Sequence, residues 1–225
     1  MNEFDESHVV PRNKEFYVLL GDVVSSRKIK NREKFQNHLI NTYSELNQLY
    51  EADLYAKLDI IKGSDEIGCV LHRIDHLYEI ISSILNKLNP HYMRFVCVKG
   101  IVDAGISTKK ISQMDGPVFH KASDLMDSLK KEELIFRMNT ENRVIDSLVT
   151  NNINLVYLIK SKWSLKKFKI INEYERSKDQ VSTAEKLNLT PQVISYNLKS
   201  ANWNEVHRIE TDLKESLKLI ARYHE

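Results

Sequence analysis

No stretch of the chain approaches the roughly 18–20 consecutive apolar residues that a membrane-spanning helix needs. Residues 1–13 are polar and hold no apolar segment of the kind a secretory signal carries. These absences argue against a membrane partner and give the expectation of a cytoplasmic protein. Cysteine is just as scarce, and the two present, Cys69 and Cys97, each sit inside an apolar run, Ile67–Leu71 and Phe95–Val98. That usage excludes a disulfide framework and a thiolate metal cluster, and predicts buried thiols in a reducing compartment. Six glycines and four prolines are too few for a low-complexity chain, so disorder is expected only in a flexible lead-in, residues 1–13. Bulk charge is close to balanced, 33 Lys and Arg against 31 Asp and Glu, and by itself names no nucleic-acid partner.

What is present divides in two. Residues 1–150 carry 20 basic and 22 acidic residues, net −2, whereas residues 151–225 carry 13 and 9, net +4. At 225 residues, 42% hydrophobic, the chain can bury one medium and one small core. The first part alternates strand and helix signals. Phe16–Gly21 is a predicted strand, and Asn31–Tyr50 a helix with Phe35, Leu39, Tyr43, Leu46 and Tyr50 at helical spacing. Leu58–Lys62 and Ile67–Leu71 flank Gly63-Ser64-Asp65-Glu66, the pattern of a hairpin with an acidic tip. Leu77–Leu88 is helical until Asn89-Pro90 stops it, and Met93–Ile106 is a strand region broken by Gly100 and Gly105. A helix from about Pro117 to Lys131 and a strand at Leu134–Met138 complete this part. Strand, helix, hairpin, helix, strand is a ferredoxin-like βαββαβ order, so the predicted class is α+β. Residues 14–140 form the expected sheet domain, 141–162 a connecting helix, and 163–225 a small all-α domain.

In that order the first and third strands are antiparallel neighbours, so the end of the first lies beside the start of the third. Asp22 and Asp65 occupy those two places. Convergent carboxylates, with the backbone carbonyl of Val23, make an oxygen-rich site for Mg²⁺ or Mn²⁺, which would complete its octahedron with substrate phosphates. Ser25, Ser26, Arg27 and Lys62 are the neighbouring candidates for phosphate contact.

These residues carry a resemblance. A strand ending Gly-Asp-x-x-x-Ser, then Gly-Ser-Asp-Glu-Ile about forty residues later, resembles the palm domain of class III nucleotide cyclases and GGDEF-type cyclases. With Arg94-Phe95, Gly105-Ile106-Ser107-Thr108 and Asp115-Gly116-Pro117-Val118-Phe119-His120-Lys121-Ala122, the series is similar to the SatD family, small bacterial proteins joining a cyclase-like domain to a helix-turn-helix. The resemblance implies that Asp22 and Asp65 are the two metal aspartates and that Asp115 and His120 belong to the nucleotide site. It also implies weak catalysis. The cyclase block Gly-x-x-x-Asn-x-Ala-x-Arg aligns with Gly116, His120 and Ala122, placing His120 at the Asn position and Asp124 at the Arg position. A cation aimed at developing phosphate charge is a large catalytic contribution, and it is missing there.

The last part has its own signals. Asp179 can cap a helix through Ala184 and Leu187, Asn188 suits a left-handed turn, and Thr190-Pro191 starts the next helix. With Ile194 and Leu198 inward, the spacing resembles the helix-turn-helix of bacterial regulators, and Gln192, Ser195, Tyr196 and Lys199 project outward as DNA-contact candidates. Trp203–Tyr223 is one more helix, with an apolar stripe from Val206 to Ile220. The expected protein is a nucleotide-responsive DNA-binding homodimer, with nucleotide and double-stranded DNA as partners. The alternative is a nucleotidyl-cyclase-type enzyme whose helix-turn-helix is regulatory.

Overall fold

The computed structural model describes residues 14–63 and 65–223, with the side chains of Lys62 and Tyr223 outside that description. The expected lead-in, residues 1–13, and Ser64 of the hairpin tip lie outside the described residues. The chain runs β1 (Glu15–Val23), α1 (Arg32–Leu49), β2 (Leu54–Lys62), β3 (Glu66–Leu71), α2 (Leu77–Leu88), β4 (Met93–Ile101), α3 (Pro117–Leu129), β5 (Phe136–Asn139) and α4 (Arg143–Lys160). Four further helices follow, α5 (Leu165–Ser177), α6 (Gln180–Leu187), α7 (Pro191–Ser200) and α8 (Trp203–Tyr223). It is an α+β fold with one five-stranded sheet. The strand order is β2-β3-β1-β4-β5, antiparallel throughout except for the parallel pair β4–β5, so the sheet is mixed.

Two compact units make up the chain, Met1–Thr150 with Leu217–Glu225, and Asn151–Ser216. In the first, alternation along β1 sends successive side chains to opposite faces. Phe16 and Val18 join Val70, Val96 and Val98 on one face, where Val118, Ala122, Met126 and Leu129 form the inner stripe of α3. The intervening residues Tyr17, Leu19 and Val23 are buried too, and so are Cys69 and Cys97 opposite Leu19. Burial pushes both thiols up from their ordinary range, so they act as packing groups. No helix among the described residues is long and apolar enough to cross a membrane.

Element boundaries moved where side-chain polarity concealed the period. β2 begins at Leu54, because buried Leu54, Ala56 and Leu58 alternate with the more exposed Tyr55, Lys57 and Asp59 on an edge strand. β4 ends at Ile101. Beyond it Gly105 takes φ 68° and opens a short 3-10 turn at Ile106–Thr108.

Gly21 marks a close approach in the middle of the sheet. A Cβ there would stand 2.8 Å from Ile67 Cγ1 and 2.9 Å from Phe95 Cε1. Gly21→Ala is therefore expected to lower stability by about 1–3 kcal/mol through overpacking, read as a lower urea midpoint by circular dichroism. A second prediction concerns pH. Arg73 Nε and Nη2 donate to Asp75 Oδ2 and Oδ1 at 2.9 and 2.7 Å, and this guanidinium holds the carboxyl below its usual range. A depressed folded value means stability that is fully present above the unfolded pKa and lost as pH falls through the folded one. The stability gap between the parent protein and Asp75→Asn should be widest near neutrality and shrink below about pH 4.

Candidate functional site

β1 delivers Asp22 to the end of the sheet, and the chain turns at once. Ser25 is held at φ 57°, ψ 37°, a left-handed conformation unusual for serine, and a 3-10 turn Ser26–Lys28 follows. Asp22 pairs across the sheet with Glu66 on one side and Arg94 on the other, and directly opposed residues share a face. That face is the one packed by α3, whose C-terminal end supplies Lys130. The Lys130 Nζ lies 3.1 Å from Asp22 Oδ1, and the Asp22 side chain is only 15% exposed.

Asp65 stands one residue earlier on the hairpin, beside Val23, whose N–H donates to the Asp65 carbonyl at 3.0 Å. Its carboxylate turns to the start of α1, and Ser26 Oγ donates to Asp65 Oδ2 at 2.7 Å. A cavity of about 310 Å³ opens there, with Ser26, Arg27, Arg32, Phe35, Gln36 and Asp65 in its wall. Two guanidinium forks suit phosphate or carboxylate oxygens, and the Asp65 carboxylate suits a cation held with them.

The structure thus brings Ser26, Arg27 and Asp65 to one cavity, with Asp22 and Val23 at the adjoining strand end. Ser25 shapes the turn and is exposed, and the side chain of Lys62 lies outside the described residues. Asp115 and His120 are elsewhere. His120 Nε2 lies 3.7 Å from Asp115 Oδ1, both exposed, in the first turn of α3 and the residues before it. Ten residues of helix separate His120 from Lys130, about 15 Å at the α-helical rise. Gly100, paired with Phe16 near the start of β1, packs on Val118 at that end of α3. Asp115 and His120 are accordingly at the opposite end of the sheet from Asp22. Sequence reasoning missed Arg32, Phe35, Gln36 and Lys130. The first three follow the Asn31 cap, whose side chain accepts from Lys34 N–H, so the helix start signalled them. Nothing local signals Lys130.

In the second unit, α5, α6 and α7 pack on one another. Asp179 caps α6 by accepting from Ser182 N–H at 2.7 Å and Ser182 Oγ at 2.8 Å, and these bonds hold its carboxyl below the ordinary range. Asn188, at φ 54°, ends the helix with paired bonds from Asn188 N–H to the Glu185 carbonyl and Leu189 N–H to the Ala184 carbonyl. Thr190 caps α7, with Pro191 at its first position. Ile194 and Leu198 are buried, whereas Gln192, Ser195, Tyr196 and Lys199 are exposed on the other side of the helix. Trp163 Nε1 donates to the Ala201 carbonyl at 3.2 Å and ties the start of α5 to the end of α7.

The same unit holds a group the sequence reading passed over. Ligand atoms of Glu175, His207 and Glu210 lie within 4.8 Å of one another and could coordinate a metal ion. One histidine and two carboxylates suit a divalent transition metal. Each member already has a neighbour. Lys160 Nζ donates to Glu210 Oε1 at 2.6 Å, Trp203 Nε1 to Glu175 Oε1 at 3.3 Å, and the His207 ring stacks on Trp203 at 4.8 Å. His207 and Glu210, one turn apart on α8, were legible as a helical pair. Glu175 on α5 joins them only through tertiary packing.

An α+β chain with a mixed sheet, an acidic strand end and a C-terminal set of helices is the class these features define. The model of the SatD family matches residues 16–215, and the chain belongs to the SatD family. None of the curated proteins compared with the chain matches it. Among solved structures, the regulator of polyketide synthase expression from Bifidobacterium adolescentis is similar at 10% identity, over 94% of this chain and 87% of that one, with a TM-score of 0.24. A likeness that low bears on neither fold nor function.

The caps around α7 yield a prediction. Thr190→Ala is expected to cost about 1 kcal/mol, and Asn188→Val more than Asn188→Gly, because Gly and Asn tolerate the left-handed position far better than a β-branched residue does. The chain's two tryptophans, Trp163 and Trp203, both belong to this unit, so urea unfolding followed by tryptophan fluorescence reads the effect.

Proposed function

We propose that the protein is a nucleotide-responsive DNA-binding protein, a transcriptional regulator whose sheet-bearing unit is a cyclase-like palm and whose α5–α7 unit is a helix-turn-helix. The observation that carries this reading is the cavity beside the end of β1, where Arg27, Arg32 and Asp65 share one wall and Asp65 stands beside Val23, the residue after Asp22. Supporting it, the strand order β2-β3-β1-β4 with antiparallel neighbours is the ferredoxin-like βαββαβ connectivity, extended here by β5.

Mg²⁺ or Mn²⁺ would be held at that end by the acceptor-only, partly buried oxygens of Asp22 and Asp65. These carboxylates turn to opposite sides of the sheet, Asp22 to Lys130 and Asp65 to Ser26, so a shared ion requires one of them to change direction. When bound, the ion supplies positive charge for the phosphates. Arg27 and Arg32 orient the phosphate oxygens, Ser26 holds the Asp65 carboxylate, and Lys130 balances Asp22 in the absence of an ion. In the second unit, Gln192, Ser195 and Tyr196 meet base edges and Lys199 a phosphate in the major groove. The working form is a homodimer, because operators read by such helices are commonly two-fold.

A second reading, a nucleotidyl-cyclase-type enzyme regulated by the helix-turn-helix, is favoured by Lys130 and Arg94. These cations share the face of Asp22 and can stand in for the positive group absent at Asp124.

One set of measurements tests both readings. In a thermal-shift panel of nucleoside mono-, di- and triphosphates with Mg²⁺ or Mn²⁺, at least one nucleotide should raise the melting temperature. Asp65→Asn and Asp22→Asn should abolish the shift, and Arg32→Ala should weaken affinity about tenfold, one lost charged contact. No shift with any nucleotide overturns the sensor, and a cyclic or linear product in the same mixtures moves the assignment to the enzyme. For DNA, Lys199→Ala should reduce the salt slope of binding by about one. Binding that ignores Lys199 and Gln192 overturns the reader.

A further inference from the structure

The sheet-bearing unit has another cavity, of about 390 Å³, between one face of α1, the edge strand β2 and the turn at Lys109–Ile111. Its wall is largely apolar, with Ile40 and Tyr43 from α1, Leu58 and Ile60 from β2, and Ile111. Ile40 is 49% exposed, so a large apolar side chain is left uncovered at its mouth. Tyr43 is 4% exposed, and its hydroxyl is buried with no hydrogen-bond partner. A phenylalanine would fill that space without a stranded polar atom, so the hydroxyl is a donor lacking an acceptor. Burial also holds its proton on, since it pushes the phenol above its ordinary value.

The rim is positive. Lys57, Lys109 and Lys110 line it, with the Lys109 ammonium over the Tyr55 ring at 5.7 Å from its centroid, against one carboxylate, Asp59, which already accepts from Ile60 N–H at 2.7 Å. Lys57 has only a loose pair with Glu51 at 3.5 Å, both well exposed, and such pairs contribute little. An added peptide strand is ruled out as occupant by the edge itself. Asn47 donates from Nδ2 to the Leu58 carbonyl at 2.9 Å and accepts the Leu58 N–H at 2.7 Å, so the middle of the β2 edge is already satisfied.

We propose that this cavity binds a small organic anion, an apolar body of the size of a medium-chain or aromatic carboxylate lying against Ile40, Leu58, Ile60 and Ile111, with its negative charge at Lys109 and Lys110. The volume lies in the range of ordinary ligand sites. The proposal does not rest on the nucleotide reading, since the cavity shares no residue with the one at Arg32.

The test uses the full chain and 8-anilinonaphthalene-1-sulfonate, a fluorescent amphipathic anion, with decanoate and indole-3-acetate as competitors. One saturable site is expected, displaced by at least one of the two carboxylates, and the effective one tells alkyl from aromatic ligand. The paired change Lys109→Glu with Lys110→Glu should weaken the probe at least tenfold. Tyr43→Phe, which removes no hydrogen bond within the protein and alters an atom closed off from the cavity, should keep or raise the melting temperature and leave the effective carboxylate's affinity unchanged. Absence of saturable binding, affinity indifferent to the lysine reversals in a folded variant, equal competition by uncharged decanol, or loss of the site in Arg32→Ala each overturns the proposal.

Discussion

β1 is hydrogen-bonded along both edges, and the two registers leave each of its residues one possible face. Because Asp22 opposes Glu66 and Arg94, it must share their face, and α3 covers that face along its length. Slipping either register by one residue would turn Phe16 and Val18 away from Val118 and Met126 and move Asp22 from Lys130 in the same step. The apolar core and the charged end of the strand are therefore fixed by one choice of register. Gly21 permits it, because no side chain fits between Ile67 and Phe95 at that position.

The second unit obtains definition from a different source. α6 and α7 are short, and short helices depend on their ends as much as on their stripes. Asp179, Asn188 and Thr190 close those ends within twelve residues and define the turn from which α7 starts. Ile194 and Leu198 then fix the rotation of the helix, which leaves Gln192, Ser195, Tyr196 and Lys199 together on its open side. Trp163 adds a longer tie at Ala201.

These two sources explain what the sequence disclosed. The signals along α6 and α7 are local chemistry, a cap, a left-handed asparagine and a proline at a first turn, and each falls where its residue type demands. The strand order and the neighbourhood of Asp22 and the hairpin were also legible, from hydrophobic period and chain order. Parity was harder. The sequence names Asp65 and Glu66 as a pair at a tip, but only the observed register shows that Glu66 faces with Asp22 while Asp65 turns to Ser26. Lys130 was hidden for the same reason, since it meets Asp22 across a helix-on-sheet contact with more than a hundred residues between them. Tyr43 carried a helical stripe in the sequence, and nothing in a stripe shows that a hydroxyl lacks a partner. The family resemblance grouped Asp115 and His120 with Asp22 in one site, and the length of α3 separates them.

The acidic groups that could take a cation share one physical state. Asp22 is balanced by Lys130, Glu210 by Lys160, and Asp65 is held by a hydroxyl. None is a bare buried carboxylate, whose desolvation would be expensive. An ion at Asp22 or Glu210 would therefore exchange with an ammonium, and its affinity would be lowered by whatever the displaced pair contributed. At Glu210 that penalty is the larger, because Lys160 and Glu210 are both largely buried and Lys160 also lies over the Trp163 ring, 5.6 Å from its centroid. At Asp22 the lysine caps the C-terminal end of α3 and is a third exposed, so it is the freer of the two to swing aside. Were an ion to take its place there, positive charge would stand beside Asp22 in both states, whereas at Glu210 the displaced lysine would have to leave a buried pair.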